Sequence, residues 1–340
     1  MRKNQNVVVI VLEWLLAIVV GGLMAFFVLK NLFNDSRPLA QADIPQETID
    51  WFNGLIHGGS DIGGIFDPDD RDPSDWTRYE SIDSMYRLED HYFVIYYSQK
   101  DSLVEKEKAK MCQRYAHNAI SEGLQLMKKY PYPNTINDRK LPIFLAKTVT
   151  DYQSICEQLG HSFPGQGTIG LYCFHYGGSS VYTDGILISP EAWGPAGDNP
   201  RQYVEDESFK KTLWHEMNHF MYFTNWDYRQ TSKPCLWFTE GLAEYFSGNY
   251  DRLREVKASS SLNLTDDFRG PGNAAYWGGM SAYLCLEKNF SKSHVSNVVE
   301  NSYTHSINES LSIAIPNYSL SLWNEQWHNF MDNKEYKKYI

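Results

Sequence analysis

A chain of 340 residues in which 42% are hydrophobic and 15% are aromatic has the composition of a globular protein, which excludes a disordered or fibrous one. The formal net charge of −11 argues against a nucleic-acid partner, because nucleic-acid binding requires a basic face. The five cysteines include no pair at C-x-x-C spacing, which argues against a thiolate zinc site and leaves one disulfide open.

Residues 7–29 form an apolar run with a single charged residue, Glu13. A transmembrane helix needs about 20 apolar residues, so the run predicts a single-pass membrane anchor within residues 1–30. A cleaved signal peptide is the alternative, because residues 39–42 (LAQA) resemble a cleavage site. The apolar regions of signal peptides are shorter, however, at about 7–15 residues. Basic residues flank the run on both sides and leave its orientation open.

Residues 31–75 are rich in Gly, Pro and Asp without periodicity, which is typical of a linker, and a domain is predicted over residues 76–340. Within that domain the patterns predict first strands and then helices, which indicates an α+β fold. The predicted strands are 91–98, 141–149 and a hairpin over 170–189; the predicted helices are 102–130, 205–224, 237–247 and three more over 276–333.

The segment HEMNH places His215 and His219 four residues apart within an apolar run. On a helix, residues at this spacing lie on one face, so both imidazoles can bind one metal ion. Glu216 follows about 100° around the axis and can reach a water on that ion without binding the ion itself. This H-E-x-x-H pattern is typical of a zinc site with a general base. Two surface histidines are the structural alternative.

The segment WFTEGLAEY supplies a candidate third ligand, because Glu240 and Glu244 are again four residues apart among apolar residues. Two carboxylates in such surroundings are costly unless a positive charge faces them, and a divalent ion would supply it. Gly241 allows this helix to approach another backbone closely. An ordinary charged helix face is the alternative.

The two motifs together resemble those of the gluzincin zinc metallopeptidases, and most closely those of their peptidase MA-like relatives. The resemblance covers about residues 91–333 and implies a thermolysin-like catalytic domain, in which a small N-terminal β-sheet with an edge strand precedes a mostly helical part. It implies that residues 185–189 (GILIS) are that edge strand, which would pair with an extended peptide. The zinc ligands that it implies are His215, His219 and Glu240.

The resemblance also implies roles for residues around the ion. Glu216 matches the general base that takes a proton from the zinc-bound water, and Glu244 matches a carboxylate that orients His215. Tyr276 matches a tyrosine that stabilises the transition state, with Tyr283 as the rival. The G-x-M-E-N motif of aminopeptidases is missing, which favours an endopeptidase.

We therefore expect a membrane-anchored zinc endopeptidase, with a peptide or protein substrate and a catalytic domain outside the cytoplasm. One alternative is a zinc amidase that acts on a non-protein amide of the cell wall. The other is an inactive relative that binds peptides, although an intact Glu216 argues against it, because a pure binding protein has no use for a base.

Overall fold

The structure is a computed structural model that describes residues 82–99, 102–131, 140–164, 168–177, 180–196, 207–256, 262–265 and 274–340. These residues form an α+β fold, with a five-stranded sheet in the first half and mostly helices in the second. The predicted anchor (1–30) and linker (31–75) lie outside the described residues.

The sheet has the strand order β1-β2-β3-β5-β4. Its two outer pairs, β1 with β2 and β4 with β5, are antiparallel, whereas β3 pairs in parallel with both of its neighbours. The strands are β1 (Tyr86–Glu89), β2 (Phe93–Tyr97), β3 (Leu141–Leu145), β4 (Gly170–Gly177) and β5 (Ser180–Ile188).

Helices cover both faces of the sheet. Helix α1 (Ser102–Met127) contacts β2 on one face, and that face belongs to the main hydrophobic core. Helix α2 (Val149–Gln158) covers the other face through a second cluster that includes Tyr152 and Phe144. The α2 helix was not predicted, although Thr148 and Asp151 form a capping box at its start, which is a sequence-level signal.

The helical half supplies most of the main core. It consists of α3 (Glu207–Phe223), α4 (Leu236–Ser247), α5 (Ala274–Asn289), α6 (Lys292–Asn301), α7 (Ile307–Ala314) and α8 (Leu320–Asp332). Four helices therefore follow residue 273, where three were predicted. Gly241 on α4 lies against Gly279 on α5 so closely that a Cβ at position 241 would be 2.3 Å from that residue's backbone. The predicted close approach of Gly241 to another backbone is thus confirmed.

The fold class predicted from the sequence requires two corrections. It included an N-terminal transmembrane helix, but no helix in the described parts of the chain is long and apolar enough to cross a membrane, and residues 7–29 lie outside those parts. It also made 185–189 an edge strand, whereas β5 lies between β3 and β4, and β4 is at the edge of the described sheet. The reason is that Ile186, Leu187 and Ile188 are all fully buried, as is typical of a central strand.

Candidate metal centre

Helix α3, which carries the first motif, is held firmly in the core because most of its residues are buried. Phe209, Leu213, Met217 and Phe220 are all buried in the main core. Glu207 lies in the first turn, where its charge interacts favourably with the helix dipole. This packing fixes the helix axis and thereby fixes the direction of the polar side chains that project from it.

Three potential ligand atoms converge between α3 and α4. The Nε2 atoms of His215 and His219 lie 3.1 Å apart, and the Glu240 Oε2 atom lies 3.1 Å from the first and 3.3 Å from the second. Ligands at about 2.1 Å from a tetrahedral ion are separated by ~3.4 Å, so these spacings fit one ion. The three residues could therefore hold a metal ion together, and no other group of three His, Cys, Asp or Glu residues in the described chain does so.

Carboxylates around the two imidazoles give the centre a strong preference for positive charge. Burial opposes protonation of His215, but its hydrogen bond with Glu240 and the charges of Glu244 and Glu216 outweigh burial and raise its pKa to about 9. Burial likewise opposes ionisation of Glu240, but the two histidines hold the pKa of its carboxyl well below the ordinary value. A metal cation would satisfy the same electrostatic demand.

Glu244 lies behind His215, on the side away from the three ligand atoms. Its Oε1 atom is 3.5 Å from the Nδ1 atom of His215, which is an ion-pair distance rather than a short hydrogen bond. The same oxygen accepts a hydrogen bond from Nε of Arg252 at 3.3 Å. A proton on Nδ1 of His215 would face this carboxylate and leave Nε2 free to bind a metal.

Glu216 is buried against the start of the edge strand β4, with only 7% of its surface exposed. Burial raises the pKa of its carboxyl, and the nearby His215 and His219 offset only part of this effect. The backbone N–H of Tyr172 is close to the carboxylate and, like the histidines, lowers this pKa. A Cβ at Gly170 would lie 2.6 Å from its Oε1 atom, so the site requires a residue without a side chain there.

The two candidate tyrosines have different surroundings. The ring of Tyr276 stacks on that of His215, with centroids 5.9 Å apart, and it lines a cleft of about 330 Å³ beside Glu216. Tyr283 is fully buried, and its hydroxyl donates to the backbone oxygen of Phe238 at 3.1 Å. Tyr276 is therefore next to the candidate metal centre, and Tyr283 is not.

All the predicted site residues except the rival tyrosine therefore lie together, around the candidate metal centre. The predicted edge strand 185–189 does not border Glu216, because that position is taken by β4. Seven residues that line the cleft were not predicted: Thr168, Ile169, Gly170, Lys211, Thr212, Asn249 and Arg252. A glycine that opens a strand of otherwise large residues was a signal for Gly170, whereas the sequence around Arg252 has no distinguishing pattern.

Comparison with known proteins gives no match, either to a protein-family model or to a curated protein. Any inference about function therefore rests on the residues of the site and on their geometry.

Proposed function

We propose that this chain is a zinc-dependent endopeptidase of the gluzincin type. The observation that carries the proposal is the convergence of two imidazole nitrogens and one carboxylate oxygen beside a second, buried carboxylate, Glu216. Two histidines and one glutamate form a donor set used by catalytic zinc, which keeps one position open for water or substrate.

His215, His219 and Glu240 would hold the ion. A zinc ion at this position supplies Lewis acidity, which polarises a substrate carbonyl and lowers the pKa of a water in the open position to about 7. Glu244 and Arg252 would fix the orientation of His215 through the contacts at its Nδ1 side.

Glu216 is the proposed general base. It takes a proton from the attacking water and delivers it to the amine that leaves, because the group that accepts a proton in one step donates it in the next. Its burial supports this role, since burial raises the pKa of the carboxyl toward the range in which it can both accept and release a proton. The absence of a side chain at Gly170 leaves room for the carboxylate.

Tyr276 is the proposed donor to the oxygen that becomes negatively charged. Its ring stacks on that of His215 and also lies near the guanidinium of Arg252, which is 5.6 Å from the ring centroid. A hydroxyl positioned in this way stabilises charge that develops in the transition state without the need for reorganisation.

The edge strand β4 favours an extended polypeptide as substrate. Its outer backbone groups have no strand partner among the described residues, so a peptide can pair with them by β-augmentation. Gly170 lies next to Glu216. From Gly170, β4 continues to Gly177 in one direction, and Thr168 and Ile169 line the cleft in the other. Substrate chain can therefore extend to both sides of the bond that is cut, as an endopeptidase requires.

The test is hydrolysis of casein and of end-blocked peptides by the purified chain after zinc loading. The Glu216→Gln variant should retain zinc and fold but lose about 10²–10⁴-fold in rate, since the base is removed while the ligands remain. Equal rates for the variant and the parent would disprove the assigned role of Glu216. Release of amines from cell-wall fragments, with no cleavage of any peptide, would favour the amidase alternative.

A further inference from the structure

The β4 strand and the second half of the α3 helix run side by side, and the Gly170 end of β4 lies beside Glu216 at the candidate metal centre. Gly170 contacts Glu216, the Tyr172 ring lies 6.3 Å from that of Phe223, and Phe174 stacks on Phe223 at 4.9 Å. The contacts therefore advance together along the strand and the helix. A substrate that pairs with the edge of β4 must follow the same path away from the centre.

Four aromatic side chains lie at the far end of this path, and we call them the aromatic cluster: Phe174, Tyr176, Trp226 and Tyr228. The Tyr176 ring lies 5.7 Å from that of Phe174, 6.3 Å from that of Trp226 and 5.3 Å from that of Tyr228. Trp226 is buried beneath the others, while 49% of Tyr176 is exposed. The cluster thus combines a rigid base with an accessible aromatic surface.

The two directions along β4 differ in chemistry. Beyond Gly170, the cleft is lined by the polar residues Thr168, Lys211 and Arg252. Toward Gly177, the side chains of Tyr172, Phe174 and Tyr176 lie on one face of the strand, because alternate residues of a strand share a face. A bound chain would therefore meet polar groups on one side of the cleaved bond and aromatic groups on the other.

We propose that the aromatic cluster is a specificity subsite that receives an aromatic side chain of the peptide substrate, about four to six residues from the cleaved bond. Tyr176 and Tyr228 provide its accessible walls. The spacing follows from the strand itself: Glu216 lies against the Gly170 end of β4, Tyr176 is six residues beyond Gly170 and four beyond Tyr172, and both chains of a pair rise ~3.3 Å per residue. This inference rests on the proposed peptidase function, because it names the substrate class of that same site.

Polypeptide is the occupant that the position of the cluster favours. The cluster continues from a strand edge, and a strand edge binds through backbone N–H and C=O groups that a polypeptide supplies at matching intervals. Aromatic side chains prefer to meet other rings edge-to-face, which is the arrangement already present between Tyr176 and Tyr228.

The kinetic test uses the full chain loaded with zinc. Its substrate is a synthetic peptide with the sequence around a bond that the chain cleaves in casein. Each position of that peptide is set in turn to Phe and to Ala, and kcat/KM is measured for each pair. We expect the ratio of Phe to Ala to peak on one side only, about four to six residues from the cleaved bond. Tyr176→Ala and Tyr228→Ala should each lower that ratio about threefold to tenfold.

Tyr182→Ala is the matched control. Tyr182 belongs to the same hairpin, but its ring stacks on His175, on the other face of the sheet from the aromatic cluster, so its removal should leave the ratio as in the parent. A flat profile in the parent, or a peak that persists in both cluster variants, would overturn the subsite and leave the peptidase proposal intact.

A binding test decides the inference separately from hydrolysis. The Glu216→Gln chain is titrated with two labelled twelve-residue peptides, one with Phe at every fourth residue and one with Ala at those positions. The Phe peptide should bind about threefold to tenfold more tightly, and Tyr176→Ala should abolish the difference. Equal affinities would overturn the subsite, as would tight binding of a glycan oligomer that Tyr176→Ala abolishes. If the chain cleaves no peptide but the binding result is as expected, the peptidase proposal is rejected and the subsite is not.

Discussion

Gly170 lies so close to Glu216 that a Cβ on its backbone would be 2.6 Å from the Oε1 atom and 2.8 Å from the Cγ atom of that glutamate. We predict that Gly170→Ala displaces the Glu216 carboxylate and reduces hydrolysis by about 10²-fold, because a misplacement of ~1 Å in an active site has this effect. Zinc content should remain at the parent level, since the atoms nearest to that Cβ belong to Glu216 and Thr212 and not to a ligand.

Gly123→Ala is the matched control for that prediction. A Cβ at Gly123 would also meet a neighbour closely, at 2.3 Å, but the neighbour is the flexible Met221 side chain, between α1 and α3 and outside the cleft. This variant should lose thermal stability and keep the activity of the parent when both are assayed below their melting temperatures. Equal activity of the parent and Gly170→Ala would show that Glu216 tolerates the displacement.

The second prediction concerns metal content. His219→Ala and Glu240→Ala each remove one of three converging ligand atoms, so the purified variants should hold less than about one-tenth of the zinc of the parent, which we expect to bind about one ion per chain. Elemental analysis after dialysis gives the measurement. His305→Ala, which removes an exposed histidine, is the control and should retain zinc. Full zinc retention in both ligand variants would show that other residues bind the metal.

The spacing of these residues explains which pairs the sequence alone could predict. Residues four apart on a helix must share a face, so His215 with His219 and Glu240 with Glu244 were paired before any fold was known. What the sequence could not specify was the relation between distant segments. The contact of Gly170 with Glu216 depends on how β4 packs against α3, and that of Arg252 with Glu244 depends on how the short helix Tyr250–Glu255 folds back on α4.

The misassigned edge strand has a different origin. The segment from Ile186 to Ile188 is an uninterrupted apolar run, and such a run indicates burial on both faces, which is the property of a central strand. The β4 strand, in contrast, has half-exposed residues among its large ones, as an edge strand can afford. The apolar run itself therefore indicates a central strand, and the edge position of residues 185–189 was implied only by the resemblance to a known family.

The third prediction separates the two tyrosines. Tyr276→Phe should lower kcat and leave KM nearly unchanged, because its hydroxyl is needed mainly when charge develops on the substrate oxygen. Tyr283→Phe should leave kcat unchanged and cost about 1 kcal/mol in the free energy of unfolding, since it loses a buried hydrogen bond to the oxygen of Phe238. The measurements are steady-state kinetics and urea unfolding of both variants. A loss of kcat in Tyr283→Phe alone would reverse the assignment.

The fourth prediction tests Glu244 as the residue that orients His215. Glu244→Ala should weaken zinc affinity or activity by about 10–100-fold, which is typical when the partner of a metal-bound histidine is removed. Glu244→Gln should lose less, because its amide oxygen can still accept from Nδ1 of His215 and from Arg252. Competition with a zinc chelator gives the affinity of each variant. An effect of the Ala variant within twofold on both quantities would leave His215 oriented by another group.

The last prediction concerns a carboxylate far from the cleft in sequence. Asp90 is buried and accepts hydrogen bonds from the backbone N–H groups of Tyr92 and Phe93 at 2.7 and 2.8 Å and from the Gln113 side chain at 2.8 Å. A further contact, of 2.7 Å, joins it to the His117 ring. Burial alone would raise the pKa of this carboxyl, but the contact and charge of His117 and the two backbone donors outweigh burial, so the pKa is lowered.

A pKa that is lower in the folded than in the unfolded chain stabilises the fold above the unfolded value, near pH 4, and the stabilisation is lost as the pH falls through the folded value. Asp90→Asn cannot ionise and should therefore cost about 1–3 kcal/mol in the free energy of unfolding at pH 6. The difference between the parent and the variant should shrink when urea unfolding is repeated at pH 3. Asp332→Asn, at an exposed aspartate, is the control and should show no such difference at either pH. A parent–variant difference that is equal at pH 6 and pH 3 would mean that the charge of Asp90 does not contribute and that only its shape and hydrogen-bonding capacity matter.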